Sequence, residues 1–277
     1  MITNLIEVLK VIILGIVEGI TEWLPISSTG HMLLVDQFIT LNVSDHYKEM
    51  FFIVIQLGAV LAVVVLFYKK MIPFQFSDKR SPMIKTDILS LWMKVVVACI
   101  PGAVVTVLFD DYIEAHFHTP AVIACALIFY GIAFIFIETW NKKRTPVVHE
   151  LTDITYISAF MIGLFQVLSI IPGTSRSGST IVGGLLIGVS RVAVAEFTFF
   201  LAVPVMFGLS FIKMLKFGFI FTTAELTLLI IGMVVAFIVS LIVIRFLMNY
   251  IKKHDFKVFG WYRIILGIIV LLYFTFL

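Results

Sequence analysis

Six stretches of this chain, roughly residues 51–68, 87–109, 120–138, 197–217, 226–247 and 260–277, are long, apolar and sparsely charged. An α-helix rises about 1.5 Å per residue, so about 20 residues cross the roughly 30 Å of bilayer hydrocarbon, and the shorter stretches must stand nearly upright. Inside lipid every backbone N–H and C=O must find a partner within the protein, which leaves only helices and closed barrels. Uninterrupted apolar runs of this length select helices. Composition agrees, since 61% of the residues are hydrophobic and 13% charged, against about half and about a quarter in soluble domains. The chain is therefore expected to be an all-α integral membrane protein, one domain over residues 1–277. A net charge of +3 gives no reason to expect nucleic acid as a partner. The N-terminus lacks the basic region and small-residue cleavage site of a signal peptide. Cys99 and Cys125 lie in apolar runs and read as small buried thiols.

Loop charge sets the orientation. Lys69, Lys70, Lys79, Arg80 and Lys85 crowd one connection; Lys142, Lys143 and Arg144 fill a second, and Lys252, Lys253 and Lys257 a third. The 110–118 connection carries Asp110, Asp111 and Glu114 with no Lys or Arg. The positive-inside rule assigns the basic connections to the cytoplasm and the acidic one to the exterior, although Lys213 and Lys216 then fall near an external end. Spans 120–138 and 226–247 both end inside, so everything from 139 to 196 starts and finishes on the cytoplasmic side. Residues 154–171 and 180–189 are apolar, and the second run is too short to cross. The consistent solution is a re-entrant helical hairpin. The same parity makes residues 5–38 a second re-entrant hairpin, entering from outside.

The two hairpins resemble each other. GIVEGITEWLPISSTGH (15–31) lies over GLFQVLSIIPGTSRSGS (163–179) at an offset of 148, which pairs Gly15 with Gly163, Glu18 with Gln166, Ser27 with Ser175 and Gly30 with Gly178. Pro25 and Pro172 miss by one position. Each hairpin is followed by three spans, so the chain reads as an inverted-topology repeat, the first copy about 1–138 and the second about 154–277. Transporters built this way bind their ligands at broken helices near the midplane. Irregular backbone at that depth must face protein or water, so the two tips are expected to meet across a polar pocket.

In the second tip, PGTSRSGST (172–180), Pro172 and Gly173 stop the incoming helix, and a new helix is expected to start near Thr180. Small residues, the hydroxyls of Ser175, Ser177, Ser179 and Thr180, and a helix N-terminus make an anion site. Arg176 adds a planar fork suited to phosphate. The alternative is a structural turn capped by Ser and Thr, with Arg176 paired to Glu22 or Glu196. In the first tip Glu18 and Glu22 share a helical face, Pro25 ends that helix, Ser27, Ser28 and Thr29 occupy the turn, and His31 opens the returning helix. Hydroxyl, imidazole and carboxylate are the parts of an activated nucleophile, its base and an orienting group. The carboxylates could instead hold a divalent ion that clamps a pyrophosphate, or Ser28 and Thr29 could simply cap the helix while His31 satisfies a buried acid. Arg263 and Arg245, near cytoplasmic ends of their spans, read as snorkelling side chains. Glu196 and Asp153 flank the second hairpin as candidate structural partners.

ExxxE at Glu18–Glu22 followed by PISSTGH (25–31), together with PGTSRSGST (172–180), resembles the signatures of the bacitracin-resistance family of undecaprenyl pyrophosphate phosphatases. GLFQ (163–166), QLGAV (56–60) and YRIILG (262–267) match as well, so the resemblance runs along nearly the whole chain. It implies hydrolysis of undecaprenyl pyrophosphate to the monophosphate and inorganic phosphate, which recycles the lipid carrier for wall synthesis. It further implies Mg²⁺ or Ca²⁺ as cofactor and a bacterial plasma membrane location with the site facing the outer side. By motif, Glu18, Glu22, Ser28 and His31 belong to the catalytic segment, with Glu18 and Glu22 as the candidate metal ligands. Ser175, Arg176, Ser177 and Thr180 form the phosphate-binding segment, which Ser27 and Thr29 extend. Arg263 matches a family arginine that matters for activity and is counted with the phosphate-binding residues. The expected partners are the polyprenyl pyrophosphate and the bilayer, and a homodimer is left open. The rival function is a secondary transporter or flippase for a lipid phosphate or anion, built on the same repeat.

Overall fold

The computed structural model describes residues 4–74, 85–117 and 119–276, without the side chains of Asp110, Asp111, Glu114 and Ala115; Lys79 and Arg80 lie outside the described residues. The elements are helices: α1 (Leu5–Thr21), α2 (Ser28–Phe38), α3 (Asp45–Val54), α4 (Gln56–Met71), α5 (Thr86–Phe117), α6 (Pro120–Asn141), α7 (Tyr156–Val167), α8 (Arg176–Leu186), α9 (Arg191–Phe217), α10 (Thr223–Ile251) and α11 (Lys257–Phe276). Among the described residues there is no strand, and Val148 and Val189 form an isolated parallel bridge.

Six helical stretches among the described residues are long and apolar enough to cross a membrane: Asp45–Met71 (α3 with α4), Thr86–Phe109, Pro120–Asn141, Arg191–Phe217, Thr223–Ile251 and Lys257–Phe276. The chain is thus the expected all-α, multi-pass membrane protein. Boundaries moved where charges are internally neutralised. Helix α9 begins at Arg191, six residues ahead of the expected start at 197, because its first turns carry charges that hydropathy alone rejects. Arg191 meets Glu138 through Nε at 2.8 Å, and Glu196 meets Lys70 at 2.7 Å. Asp153 instead closes a local capping box with Glu150. The acidic 110–118 segment is helical up to Phe117 rather than a loop. Lys213, at odds with the loop-charge pattern, is paired with Glu49 at 3.2 Å.

In lipid, burying an apolar side chain gains little, so helices associate through small residues that allow close approach. On α10 the face with Ile230, Val234, Ile238, Ile242 and Phe246 is exposed, while Gly232, Ala236 and Ser240 are buried. Helices α6 and α11 cross most closely at Gly131 and Gly260. A Cβ on Gly131 would lie 2.6 Å from the Gly260 carbonyl oxygen, and one on Gly260 2.7 Å from that of Gly131. Gly131→Val must push two backbones apart and should lower stability by about 1–3 kcal/mol or more, read as a drop in the thermal midpoint in detergent. Cys99 is half-buried and Cys125 exposed, both as free thiols. The expectation that both are buried fails because Cys125 sits on the outward face of α6.

Two helical elbows, α1–α2 and α7–α8, complete the fold. Helices α2 and α8 have 11 residues each, about half the length that a crossing requires. The elbows pack reciprocally: α1 lies along α10, the second long helix after the second elbow, and α7 lies along α5, the second long helix after the first.

Candidate active site

Each elbow turns on a serine with positive φ. Ser27 and Ser175 both have φ of 73°, a conformation that a non-glycine residue adopts only when its surroundings enforce it, at a cost of about 1–3 kcal/mol. Ser27 Oγ accepts the Gly30 N–H at 3.4 Å, and Ser175 Oγ accepts the Gly178 N–H at 3.1 Å. The Ser27 carbonyl accepts from His31 Nδ1 at 2.7 Å, and the Ser175 carbonyl accepts the Ser179 hydroxyl at 3.0 Å. Since 31 plus 148 is 179, the offset that aligns the two sequences also aligns these contacts.

The capping serines fix the starts of the short helices at Ser28 and Arg176. Helix α8 therefore begins four residues before the expected Thr180. Thr180 is fully buried a turn inside; its hydroxyl bonds the Arg176 carbonyl at 3.0 Å and accepts from the Thr198 hydroxyl at 2.9 Å. The N-terminal end that remains for an anion is formed by Arg176 and Ser177, and on α2 by Ser28 and Thr29, whose N–H groups precede the first intrahelical bonds. Ser28, His31, Ser175 and Arg176 are half-buried and Thr29 is exposed, so the two N-termini form the accessible part of the site.

The elbows meet directly. Arg176 Nη2 donates to Glu22 Oε1 at 3.0 Å and Nη1 to the Thr198 carbonyl at 3.0 Å. Ser28 Oγ donates to Glu22 Oε2 at 2.7 Å, and Ser177 Oγ donates to the Glu22 carbonyl at 3.3 Å. Of the two partners open to Arg176, Glu22 takes it, and Glu196 goes to Lys70. Arg176 Nε, buried, has no partner, so one donor of its fork is uncommitted. Glu18 is also buried, 1% exposed, and its Oε1 has no partner.

Arg263 does not snorkel. It is 0% exposed, with Nη1 donating to the Pro25 carbonyl at 3.2 Å and Nη2 to those of Gly173 and Thr174 at 2.8 Å each. Its guanidinium also lies 5.5 Å from the Tyr130 ring. Topology locates Arg263 near a helix start, but the elbow tips reach down to that depth, so the side chain is absorbed between them. The hydroxyl of Tyr262 lies 2.7 Å from His31 Nε2. Sequence reasoning missed Tyr262 and Thr198: a tyrosine and a threonine within apolar helices carry no chemical signature, and only the YRIILG string drew attention to the former.

The description "Bacitracin resistance protein BacA" matches residues 11–269. Proteins named undecaprenyl-diphosphatase are similar along the full length. One from Enterococcus faecalis is 71% identical over 97% of this chain and 98% of its own. One from Lachnoclostridium phytofermentans is 63% identical over 98% of each, and one from Desulfitobacterium hafniense 62% over 98% of this chain and 97% of its own. With both elbow motifs inside the matched region, the chain belongs to the bacitracin resistance protein BacA family.

Proposed function

We propose that this protein is a polyprenyl-diphosphate phosphatase that hydrolyses undecaprenyl diphosphate to undecaprenyl phosphate and inorganic phosphate. The observation that carries the chemistry is the Ser28–Glu22–Arg176 chain, in which one carboxylate receives a hydroxyl from the first elbow at 2.7 Å and a guanidinium from the second at 3.0 Å. The names of the relatives support the substrate. In this reading the diphosphate lies between the N-termini of α2 and α8. Ser28 Oγ attacks the terminal phosphorus and passes its proton to Glu22, the bridging P–O bond breaks, and undecaprenyl phosphate leaves. Water then attacks the phosphorus of phospho-Ser28, giving its proton to His31; the Oγ–P bond breaks, Ser28 recovers a proton from Glu22, and His31 loses its proton to solvent as inorganic phosphate leaves. Arg176 and the uncommitted N–H groups stabilise charge on the transferring oxygens. Glu22 rather than His31 is the base for Ser28, because the Ser28 hydroxyl already points at it. Direct attack by water is the variant. Ser28→Ala should lower phosphate release from polyprenyl diphosphate in detergent by about 10²-fold or more; near-normal release would remove the serine as nucleophile. Release in detergent also separates hydrolysis from transport, because no bilayer divides two compartments there.

Two carboxylates offering only oxygen suit Mg²⁺ or Ca²⁺, and the orphaned buried Oε1 of Glu18 has the character of a ligand awaiting its ion. Among the described residues no three His, Cys, Asp or Glu side chains come together, so diphosphate oxygens would complete the shell. Glu18 would hold the ion, joined by Glu22 in the variant where water attacks directly and Glu22 takes no proton from Ser28, and the ion would neutralise diphosphate charge. Glu18→Gln should then raise the Mg²⁺ concentration for half-maximal activity about tenfold or more; an unchanged titration would argue against a metal at Glu18.

The reciprocal packing of the elbows supports an inverted repeat with both elbows re-entrant; the bacterial plasma membrane follows from the family, and a site facing the outer side from loop charge and the family resemblance. A cavity of about 550 Å³ between Tyr130, Phe129, Leu168 and Thr174 lies on the α6 segment that follows the external connection and would suit the polyprenyl tail.

A further inference from the structure

We infer that Tyr262 is the positioning residue for His31, fixing which ring nitrogen carries the lone pair and where it points. The inference rests on the reading above that His31 receives the proton of the attacking water.

The Ser27 carbonyl, 2.7 Å from His31 Nδ1, can only accept, so Nδ1 carries the hydrogen in the neutral ring. Nε2 then holds the lone pair, and the Tyr262 hydroxyl at 2.7 Å donates to it. The two ring planes are 3° apart with centroids 5.6 Å apart, so imidazole and phenol share one orientation. The hydroxyl can also relay the proton: as its own hydrogen passes to Nε2, its oxygen takes the proton of the attacking water, and it then accepts from Nε2–H. Neither the Ser27 carbonyl nor the Tyr262 oxygen has to move between the two states. Tyr262 is itself anchored, because the next residue, Arg263, is fixed to carbonyls of both elbow tips at 2.8–3.2 Å. A single turn of α11 thus clamps the tips and holds the base between Ser27 and Tyr262. His31 and Ser28 are three apart on α2 and share a helical face.

Tyr262→Phe keeps the ring and removes the hydroxyl. One hydrogen bond of ordinary strength corresponds to about a tenfold change in rate. The expected result is a fall in kcat of about tenfold with KM within about twofold of the parent and an unchanged thermal midpoint. In a His31→Gln background the same substitution should have no further effect, since the partner through which it acts is gone. Nitrogen NMR of the [¹⁵N]histidine-labelled intact protein supplies a readout independent of turnover. His31 should appear as the Nδ1–H tautomer with a hydrogen-bonded Nε2, and in Tyr262→Phe the Nε2 resonance should move to that of a nitrogen without a donor. A parent His31 protonated on Nε2, an Nε2 resonance indifferent to the substitution, or an equal loss in both backgrounds would overturn the inference, and the first of these needs no variant to fold. If His31→Gln is fully active, His31 is not the base, and the NMR result still decides whether Tyr262 holds the ring.

Discussion

Arg176→Ala is expected to lower phosphate release by about 10³- to 10⁵-fold, the range in which a guanidinium is worth most to a transferring phosphoryl group. The side chain stands where the two elbows touch, with one nitrogen on Glu22, one on the Thr198 carbonyl and Nε free. Nη1 and Nη2 each commit one of their two N–H groups, so substrate oxygens can gain a donor from the second while Arg176 keeps Glu22 and Thr198. Its 11% side-chain exposure means that it works in a partly desolvated site, where charge on charge counts for more than in water. Alanine also leaves the Glu22 carboxylate, 6% exposed, without its counter-ion, a loss that typically costs about 3–5 kcal/mol of stability. Turnover must then be referred to the folded fraction, measured by gel filtration and thermal midpoint in the same detergent. Arg176→Lys separates the two effects. Its compact ammonium can neutralise Glu22 but cannot also reach Thr198 and present a planar fork, so stability should recover more than activity. If Arg176→Ala retains activity within tenfold of the parent, the second elbow is not the phosphate site.

How far such a site can be read from sequence depends on the kind of signal each residue carries. Ser27, Gly30, Ser175 and Gly178 were legible because the same backbone problem, a tight reversal between two helices, is solved twice by the same residue types. Both serines have φ of 73°, and each caps the glycine three residues on. Glu22 and Arg176 were legible as charges that lipid would not tolerate, and each answers the other. The start of α8 was not legible: Ser175, Ser177, Ser179 and Thr180 are all competent caps, and only the strained φ at Ser175 selects one. The first turn of α9 was hidden for a different reason. Hydropathy charges Arg191 and Glu196 the full cost of an isolated ion, yet Glu138 and Lys70, far away in sequence, neutralise them. The role of His31 was half legible. Its presence announced chemistry, but its direction depends on Tyr262, 231 residues later. Arg263 misled because depth along a helix predicts exposure only when nothing packs over that end.

That burial makes Arg263 the second large effect, of another kind. A cation with 0% exposure normally demands a carboxylate. Here the hydrogen-bond partners among the described residues are three carbonyls, and the face of Tyr130 adds cation–π attraction at 5.5 Å. The guanidinium spans what a single point donor cannot, with Nη1 on the first elbow and Nη2 on the second. Arg263→Ala would leave three buried carbonyls unpaired, at about 1–3 kcal/mol each, and would add a cavity the size of the side chain. The sum approaches or exceeds the entire net stability of about 5–15 kcal/mol that a typical domain possesses. We expect Arg263→Ala to yield little monodisperse protein, and Arg263→Lys to fold with a lowered thermal midpoint and weakened coupling between the elbows. Activity loss alone does not discriminate, because a phosphate ligand and a clamp both abolish turnover when removed. Stability does: an arginine held for substrate would leave the thermal midpoint untouched and raise KM, whereas a clamp lowers the midpoint in the absence of any substrate. Arg263→Ala with parental stability and a raised KM would return Arg263 to the phosphate site and leave the convergence of the elbows to the contacts of Glu22 with Arg176 and Ser177.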